Sequence, residues 1–365
     1  MKKQHSILIL GASYGSLLAS KLLLAGHSVK LVCLQSEADL INTDGIRVRL
    51  PVKGRPDPVE ISFSPRQDPI SADVPSRIDP VSYDLAVLAM QEPQYAASGV
   101  RELLNEIAIK RVPCMSIMNM PPPPYLKRLP AIEFAGLQNC FTDVSVWQGF
   151  EPGLVTLCSP DAQAFRPADE PSNVLQVSLP SNFKAAPFAS TTETQMLRRL
   201  QSDIEAIRWT VDGAQIELPV KLKVHDSLFV PLAKWSMLIA GNYRCIQQTG
   251  TRSIREAVHG DLSESQRIYE WVGDLCRRLG ASEADQVPFD KYAAAALKLG
   301  RPSSVARALF AGALAVERVD SLVQRLAAAN GMQCQVLDQI VKLVDARLQT
   351  NRLSAVARVR QTVAS

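Results

Sequence analysis

The stretch Ser6–Leu34 constrains the fold of this chain more than any other part of its sequence. A short apolar block, Ile7–Leu10, ends at Gly11, which is typical of a strand that is buried on both faces. A segment rich in Leu and Ala follows and stops at Gly26, as expected of a helix, and a second apolar run comes after it. Strand, glycine turn, helix and strand within about 30 residues predict a βαβ unit.

The turn of this unit predicts a phosphate site. Glycines allow the backbone to approach a pyrophosphate closely, and the helix N-terminus offers unpaired N–H groups and a partial positive charge. The turn reads Gly-Ala-Ser-Tyr-Gly-Ser, so a serine replaces the second glycine of the usual Gly-x-Gly-x-x-Gly motif and the third glycine comes one residue early. The alternative is that the glycines serve only close packing of the helix on the sheet. We predict that a dinucleotide is bound by Gly11, Ala12, Ser13, Tyr14 and Gly15.

The residues at the end of the second strand should indicate which dinucleotide binds. An acidic residue there would accept the ribose hydroxyls of NAD, and an arginine would hold the extra phosphate of NADP. Leu34 and Gln35 are neither, and Glu37 lies a little further on. The residues therefore leave the choice between NADP(H) and NAD(H) open.

Composition excludes several classes of protein. A chain of 365 residues, 47% of them apolar, can bury a large core and is expected to form two domains. The net charge is only +4 and the basic residues are dispersed, so nucleic acid is not an expected partner. The apolar run near the N-terminus is too short for a signal peptide or a membrane span. The seven cysteines are scattered, which argues against a zinc site or a disulfide framework and favours a reduced, cytoplasmic location.

The first part of the chain, residues 1–229, is predicted to be an α/β domain of the Rossmann type. Alternating or continuous apolar runs predict further strands and an amphipathic helix. The predicted strands are 46–50, 83–90, 112–118, 154–158 and 174–179, and the predicted helix is 191–207. The strand that ends near Gln91 should place this residue at the edge of the sheet where ligands bind.

Three segments of this domain are rich in proline or begin with it. Residues 51–80 are expected to be irregular or to form a short antiparallel excursion. Glu92-Pro93 should open a helix, because proline suits the first helical turn. The run Pro121–Pro124 predicts a stiff, extended loop, with a ligand for an external proline-binding domain as the alternative.

The second part, residues 230–365, is predicted to be an all-helical domain. Strand signals fade and long segments rich in Ala and Leu take over. The predicted helices are 231–246, 262–280, 288–299, 303–313, 315–330 and 332–349. Residues 351–365 are expected to be a loosely packed helix or a frayed end.

Three groups of motifs, spread over most of the chain, carry a family resemblance. They are the glycine turn with Ala25–His27 and Asp44–Val48; the strand Ser116–Asn119; and Leu232–Asn242 with Pro302–Ser304 and Glu317–Asp320. Together they resemble the ketopantoate reductase family, most specifically in the third group. Residues 51–80 and 120–228 match it loosely.

The resemblance implies reduction of a 2-keto acid to a 2-hydroxy acid by NADPH. Lys234 matches the lysine that donates a proton to the substrate carbonyl, and an ammonium also stabilises the developing alkoxide. Asn242, Ser304 and Glu317 match residues that bind the substrate. Gln91 and Asn119 match positions after two sheet strands in the cofactor cleft. The family also implies a homodimer formed through the helical domain.

Each of these side chains has a structural alternative. Lys234 could be a solvated lysine at a helix N-terminus, and Asn242 beside a glycine could be a helix C-cap. Ser304 could be a helix N-cap after Pro302. Glu317 could be an exposed charge paired with a nearby arginine.

The sequence departs from the family at several positions. Leu34 stands where the family has a phosphate-binding arginine, and Gln91 stands where it has a lysine. Met120 replaces a glycine, and Leu238 replaces an asparagine one turn after the lysine. These departures favour a related substrate over ketopantoate itself.

The sequence is compatible with three functions. The first is an NAD(P)-dependent oxidoreductase acting on a small keto acid held between Asn119 and the helix of Lys234. The second is a non-catalytic or regulatory protein that keeps the fold and the nucleotide. The third is an opine-type dehydrogenase, which reduces an imine made from an amine and a keto acid.

Overall fold

The computed structural model describes residues 3–363, with side chains up to residue 358, and divides into two compact units. One unit comprises the chain up to Arg128 together with Val144–Pro231, and the other comprises Leu129–Asp143 together with the chain from Leu232 onward. The segment 129–143, which the sequence assigned to the first domain, therefore lies in the second unit. Its buried Cys140 thiol is 3.6 Å from the hydroxyl of Ser321, a residue of that unit.

The first unit is an α/β structure, as predicted. Its strands are β1 (Ser6–Leu10), β2 (Ser28–Val32), β3 (Ile46–Leu50), β4 (Val59–Phe63), β5 (Ile70–Asp73), β6 (Leu85–Leu88), β7 (Cys114–Ile117), β8 (Val155–Ser159), β9 (Gln163–Phe165), β10 (Val174–Leu179), β11 (Phe183–Ala185), β12 (Trp209–Val211), β13 (Ala214–Ile216) and β14 (Leu222–Val224). Its helices are α1 (Ala12–Leu24), α2 (Gln35–Asp44), α3 (Val100–Ile109), α4 (Pro123–Leu126) and α5 (Thr191–Glu205).

The main sheet of this unit has the strand order β14-β11-β8-β7-β6-β1-β2-β5. The strands from β8 through β5 in that order are parallel to their neighbours, so their carboxyl ends meet at one edge. The chain builds the sheet outward from β1 in both directions, which makes the β1–β6 boundary the topological switch point. In open parallel sheets this is where ligands bind.

Helix α1 lies between two sheets. A second sheet, ordered β4-β3-β10-β9, packs on it, and α1 also contacts β1 and β2 of the main sheet. Residues Gly15–Leu23 of the helix are buried without interruption. Burial on all sides explains why this segment of the sequence is mostly apolar rather than amphipathic, with Lys21 as its one charge.

The second unit is helical, as predicted. Its helices are α6 (Lys234–Met237), α7 (Ile254–His259), α8 (Leu262–Arg278), α9 (Phe289–Ala296), α10 (Ser304–Phe310), α11 (Val319–Ala329) and α12 (Gln335–Val363). Helix α7 has no counterpart among the predicted helices. Helix α12 continues beyond the predicted end at 349 to Val363, so the described part of 351–365 is helical, which was one of the two alternatives for this segment. Residues 364 and 365 lie outside the described residues.

The prediction of one regular α-helix over residues 231–246 is wrong. The chain is a 3-10 helix at Val230–Ala233, the α-helix α6, a π-helix at Leu238–Asn242 and a 3-10 helix at Tyr243–Cys245. Changes of pitch like this are frequent at functional sites.

Three local predictions in the first unit also need correction. The proline run does not stay extended, because Pro123 and Pro124 start the single buried turn of α4, where a missing N–H costs nothing. Glu92–Ala96 is a 3-10 helix, and α3 begins only after Gly99, at a positive φ of 80°. The region 51–80 contains the antiparallel strand β4, as one alternative held, and also β5, which joins the main sheet.

All seven cysteines are free thiols. Among the described residues, no group of three side chains could hold a metal ion, and no helix combines the length and apolar character needed to cross a membrane.

Candidate active site

Gly11 forms the turn between β1 and α1 at the switch point of the main sheet. Its φ is +102°, which side chains rarely tolerate, and its N–H donates to the Val32 carbonyl at 2.9 Å. A Cβ at this position would lie 2.6 Å from Cγ of Met90 and 2.8 Å from the carbonyl oxygen of Ala89. Only glycine therefore lets the turn approach the end of β6 this closely.

The N-terminus of α1 is not capped by a side chain among the described residues. Gly11 occupies the cap position and has no side chain to offer, and the first turn of the helix carries no acidic residue. Ala12 is buried, whereas Ser13 is exposed at the second helical position. An uncapped helix N-terminus at the carboxyl edge of a parallel sheet is the arrangement that binds a phosphate anion.

Gly15 and Tyr14 have packing roles in this turn. A Cβ on Gly15 would lie 2.6 Å from Cγ2 of Ile9, so this glycine allows α1 to pack on β1. The Tyr14 hydroxyl donates to the Ala162 carbonyl at 2.9 Å, and its ring meets Phe183 edge-on. Burial raises the pKa of Tyr14 well above its usual value, and the Asp161 carboxylate raises it further. Both residues therefore stabilise the turn by packing, and the Tyr14 hydroxyl is bonded within the protein.

Gln91 and Asn119 follow β6 and β7 at the same edge of the sheet. Gln91 is exposed, and its N–H donates to the side-chain oxygen of Gln94 at 2.9 Å at the start of the 3-10 helix. Asn119 is half-buried. The parallel register of β1, β6 and β7 brings both residues to the edge that carries Gly11.

The end of β2 carries an ion pair that the sequence analysis missed. Leu34 is 77% exposed, while Glu37 in the first turn of α2 binds the guanidinium of Arg166, which follows β9. Burial raises the pKa of the neighbouring Cys33 thiol to about 12, with a further contribution from the Glu37 carboxylate. No sequence signal could have found Arg166, because it lies 129 residues from Glu37.

Lys234 begins α6 in the second unit and is 9% exposed. The alternative of a solvated lysine is therefore wrong. Asn242 is the last residue of the π-helix and has helical φ and ψ angles of −59° and −47°, so it is not a left-handed C-cap either.

Ser303 connects Asn242 to the start of α10. Its hydroxyl donates to the Asn242 carbonyl at 2.6 Å and accepts from the N–H of Ala306 at 3.3 Å. The N-cap is therefore Ser303, which leaves Ser304 exposed as the first residue of the helix. The sequence Pro-Ser-Ser contains the signal for this cap, one residue earlier than expected.

Tyr243 connects the same segment to Glu317. Its hydroxyl donates to the Glu317 carbonyl at 2.5 Å and accepts from the N–H of Val319 at 3.1 Å. Glu317 is only 7% exposed, so the alternative of an exposed charge is wrong. The structure thus joins the segments of Asn242, Ser304 and Glu317 through two neighbouring residues, 242 and 243.

Comparison with solved structures identifies the architecture. A 2-dehydropantoate 2-reductase from Methylococcus capsulatus superimposes with a TM-score of 0.60 at 15% identity, over 94% of this chain and 97% of that one. The chain has the ketopantoate reductase fold. No protein-family model and no curated protein sequence matches it.

Other proteins with the ketopantoate reductase fold give similar agreement. A dimeric ketopantoate reductase from Staphylococcus aureus has a TM-score of 0.58 at 12% identity, over 95% of this chain and 99% of that one. A D-mandelate dehydrogenase in complex with NADH and anilino(oxo)acetate has a TM-score of 0.61 at 14% identity, with the same coverage. The matches span both units of the chain, so the predicted fold class is confirmed.

Proposed function

We propose that this chain is an NAD(P)-dependent oxidoreductase that reduces a small 2-keto acid to a 2-hydroxy acid. The observation that carries the proposal is the uncapped N-terminus of α1 behind Gly11, at the switch point of a parallel sheet. Its N–H groups and partial positive charge suit a pyrophosphate. The exposed Ser13 adds a hydroxyl beside that position.

A nicotinamide dinucleotide fits this turn, because among the described residues no side chain caps the N–H groups of the first turn of α1 and no acidic residue lies in that turn to repel a phosphate. Residues 11–15 hold the pyrophosphate through the main chain, and Gln91 and Asn119 bind further along the same edge. When bound, the cofactor supplies a hydride to the carbonyl carbon of the substrate.

The second unit supplies the groups for the substrate. The Lys234 ammonium donates a proton to the carbonyl oxygen as negative charge develops there, and becomes a neutral amine that regains its proton from water. The Asn242 amide and the Ser304 hydroxyl donate hydrogen bonds to the keto acid, and the Glu317 carboxylate accepts one from a remote hydroxyl. The protein with anilino(oxo)acetate bound supports a 2-keto acid as the substrate class.

A two-stage assay tests the proposal. The purified protein is first titrated with NADH and with NADPH while nicotinamide fluorescence is followed, and a panel of 2-keto acids is then added. We expect saturable binding and consumption of the cofactor with at least one keto acid. Binding without consumption across the panel would favour the non-catalytic alternative, and turnover only with an added amine would favour the opine-type reaction.

We also propose a homodimer, as described for the reductase from Staphylococcus aureus. Sedimentation equilibrium tests this part separately. A monomeric mass at micromolar concentration would contradict it.

A further inference from the structure

The π-helix changes which residues share a face with Lys234. In an uninterrupted α-helix, residues eight apart are about 80° apart around the axis, because each residue turns by about 100°. The π-helix Leu238–Asn242 adds a residue to one turn, which places Asn242 as if it were seven residues on, within about 20° of Lys234. The irregular pitch therefore brings both side chains to one face.

Tyr292, on α9, meets this segment at the point where the pitch changes. Its hydroxyl donates to the Met237 carbonyl at 3.0 Å. A Cβ on Gly241 would lie only 1.9 Å from the hydroxyl oxygen of Tyr292. The hydroxyl thus occupies the position that a side chain at residue 241 would need.

The carbonyls that follow also accept hydrogen bonds from side chains. Arg244 donates to the Ala240 carbonyl at 3.2 Å, and the Cys245 thiol donates to the Gly241 carbonyl at 3.5 Å. Ser303 holds the Asn242 carbonyl, as described above. Tyr292 provides the first of this series of contacts, and it comes from a separate helix. Burial raises the pKa of Tyr292, so its hydroxyl stays protonated and remains a donor.

We propose that Tyr292 is a positioning residue, whose hydroxyl holds the π-helix so that Asn242 shares a face with Lys234. This inference rests on the proposed function, since it assigns Asn242 and Lys234 to the same substrate. Tyr292 need not contact the substrate, because it acts through the Met237 carbonyl and the space at Gly241.

The test uses Tyr292→Phe, with Tyr269→Phe as a matched control. The Tyr269 ring stacks on that of Tyr292 at 5.3 Å, and its hydroxyl donates to the Val287 carbonyl at 2.8 Å, away from the π-helix. Both variants lose one buried hydroxyl bonded to a main-chain carbonyl. Only Tyr292→Phe should lower kcat/KM for the keto acid, by about tenfold, with unchanged Kd for the cofactor. Only this variant should show faster amide hydrogen exchange at residues 238–242.

A double-mutant cycle separates positioning from general stability. If Tyr292 acts through Asn242, Tyr292→Phe has little further effect on kcat/KM in an Asn242→Ala background. Additive effects, equal losses in the two tyrosine variants, or unchanged exchange at 238–242 would each overturn the inference alone. A wild-type protein that binds the cofactor but reduces no keto acid would instead overturn the proposed function and this positioning role with it.

Discussion

Lys21, on α1, is buried to 1% exposure, and its Nζ has no hydrogen-bond partner among the described residues. Burial, together with the smaller effect of the positive charge of Lys221, lowers the pKa of this lysine to about 7. The sequence showed Lys21 as the one charge in an apolar helix, but not that α1 would be covered on every side. Helix α1 is covered on its other side by a second sheet, which is formed by strands distant in the sequence.

From the lowered pKa of Lys21 we predict that the folded state becomes more stable as pH rises. A lysine titrates near 10.4 in the unfolded chain, so between pH 7 and about 10 the unfolded state binds a proton that the native state has released. The free energy of unfolding should therefore gain about 1.4 kcal/mol per pH unit from this group. Lys21→Met should be more stable than wild type at pH 7, with the difference shrinking by pH 9.5.

Urea unfolding at both pH values measures this difference. Exposed Lys53 provides the control, since Lys53→Met should leave the pH dependence as in the wild type. If the free energies of unfolding of Lys21→Met and wild type differ by the same amount at both pH values, folding does not lower the pKa of Lys21.

Lys234→Ala tests the catalytic assignment at the residue scale. Removing the ammonium should lower kcat at least 100-fold, because general acid catalysis contributes about 10²–10⁴ to the rate. The Kd for the cofactor should stay within about twofold, since the predicted phosphate site lies on the other unit. Lys298→Ala, at an exposed position of the second unit, is the control. Full activity in Lys234→Ala would remove this lysine from the mechanism.

At the scale of elements, the end of strand β2 carries an exposed apolar residue and an ion pair. Leu34, which the family resemblance aligns with a phosphate-binding arginine, is exposed, and Glu37 in the helix that follows pairs with Arg166. Glu37 can accept the ribose hydroxyls of NAD, while Arg166 could bind the phosphate if the carboxylate did not already hold it.

This pair predicts a change of cofactor preference. Glu37→Gln should release Arg166 and raise the affinity for NADPH relative to NADH by about fivefold or more. Glu60→Gln provides a matched control, because Glu60 pairs with Arg49 on the second sheet at 2.6 Å. The ratio of the two Kd values, from fluorescence titration, is the readout. An unchanged ratio, or a shift toward NADH, would exclude the pair as the determinant of preference.

The elements differ in how well the sequence predicted them. Continuous apolar runs found β1 and β6, because strands buried on both faces need no alternation. The π-helix at Leu238–Asn242 was missed, because no residue pattern distinguishes a π-helix from an α-helix and its pitch depends on Tyr292, fifty residues away along the chain. The turn at Pro123 was missed because proline suits both an extended loop and the start of a helix.

At the scale of the whole molecule, the order of the predicted elements along the chain was the basis for predicting the fold. A βαβ unit near the N-terminus and a change to helical patterns near residue 230 predicted an α/β unit followed by a helical one, as found. The sequence could not show that residues 129–143 belong to the second unit, because this depends on contacts such as that of Cys140 with α11. The candidate substrate residues came from the family resemblance, whereas the hydrogen bonds by which Ser303 and Tyr243 join their segments emerged only from the structure.

The central claim is that the N-terminus of α1 binds the pyrophosphate of a nicotinamide dinucleotide, and binding by Ser13→Glu tests it most directly. Ser13 is exposed at the second position of α1, so the variant should fold and place a carboxylate where a phosphate would lie. Thr192→Glu, at the exposed second position of α5, is the control. We predict that fluorescence titration gives saturable binding by wild type and Thr192→Glu, and a Kd at least tenfold higher for Ser13→Glu. Equal binding by all three proteins, or no binding by the wild type, would contradict the account.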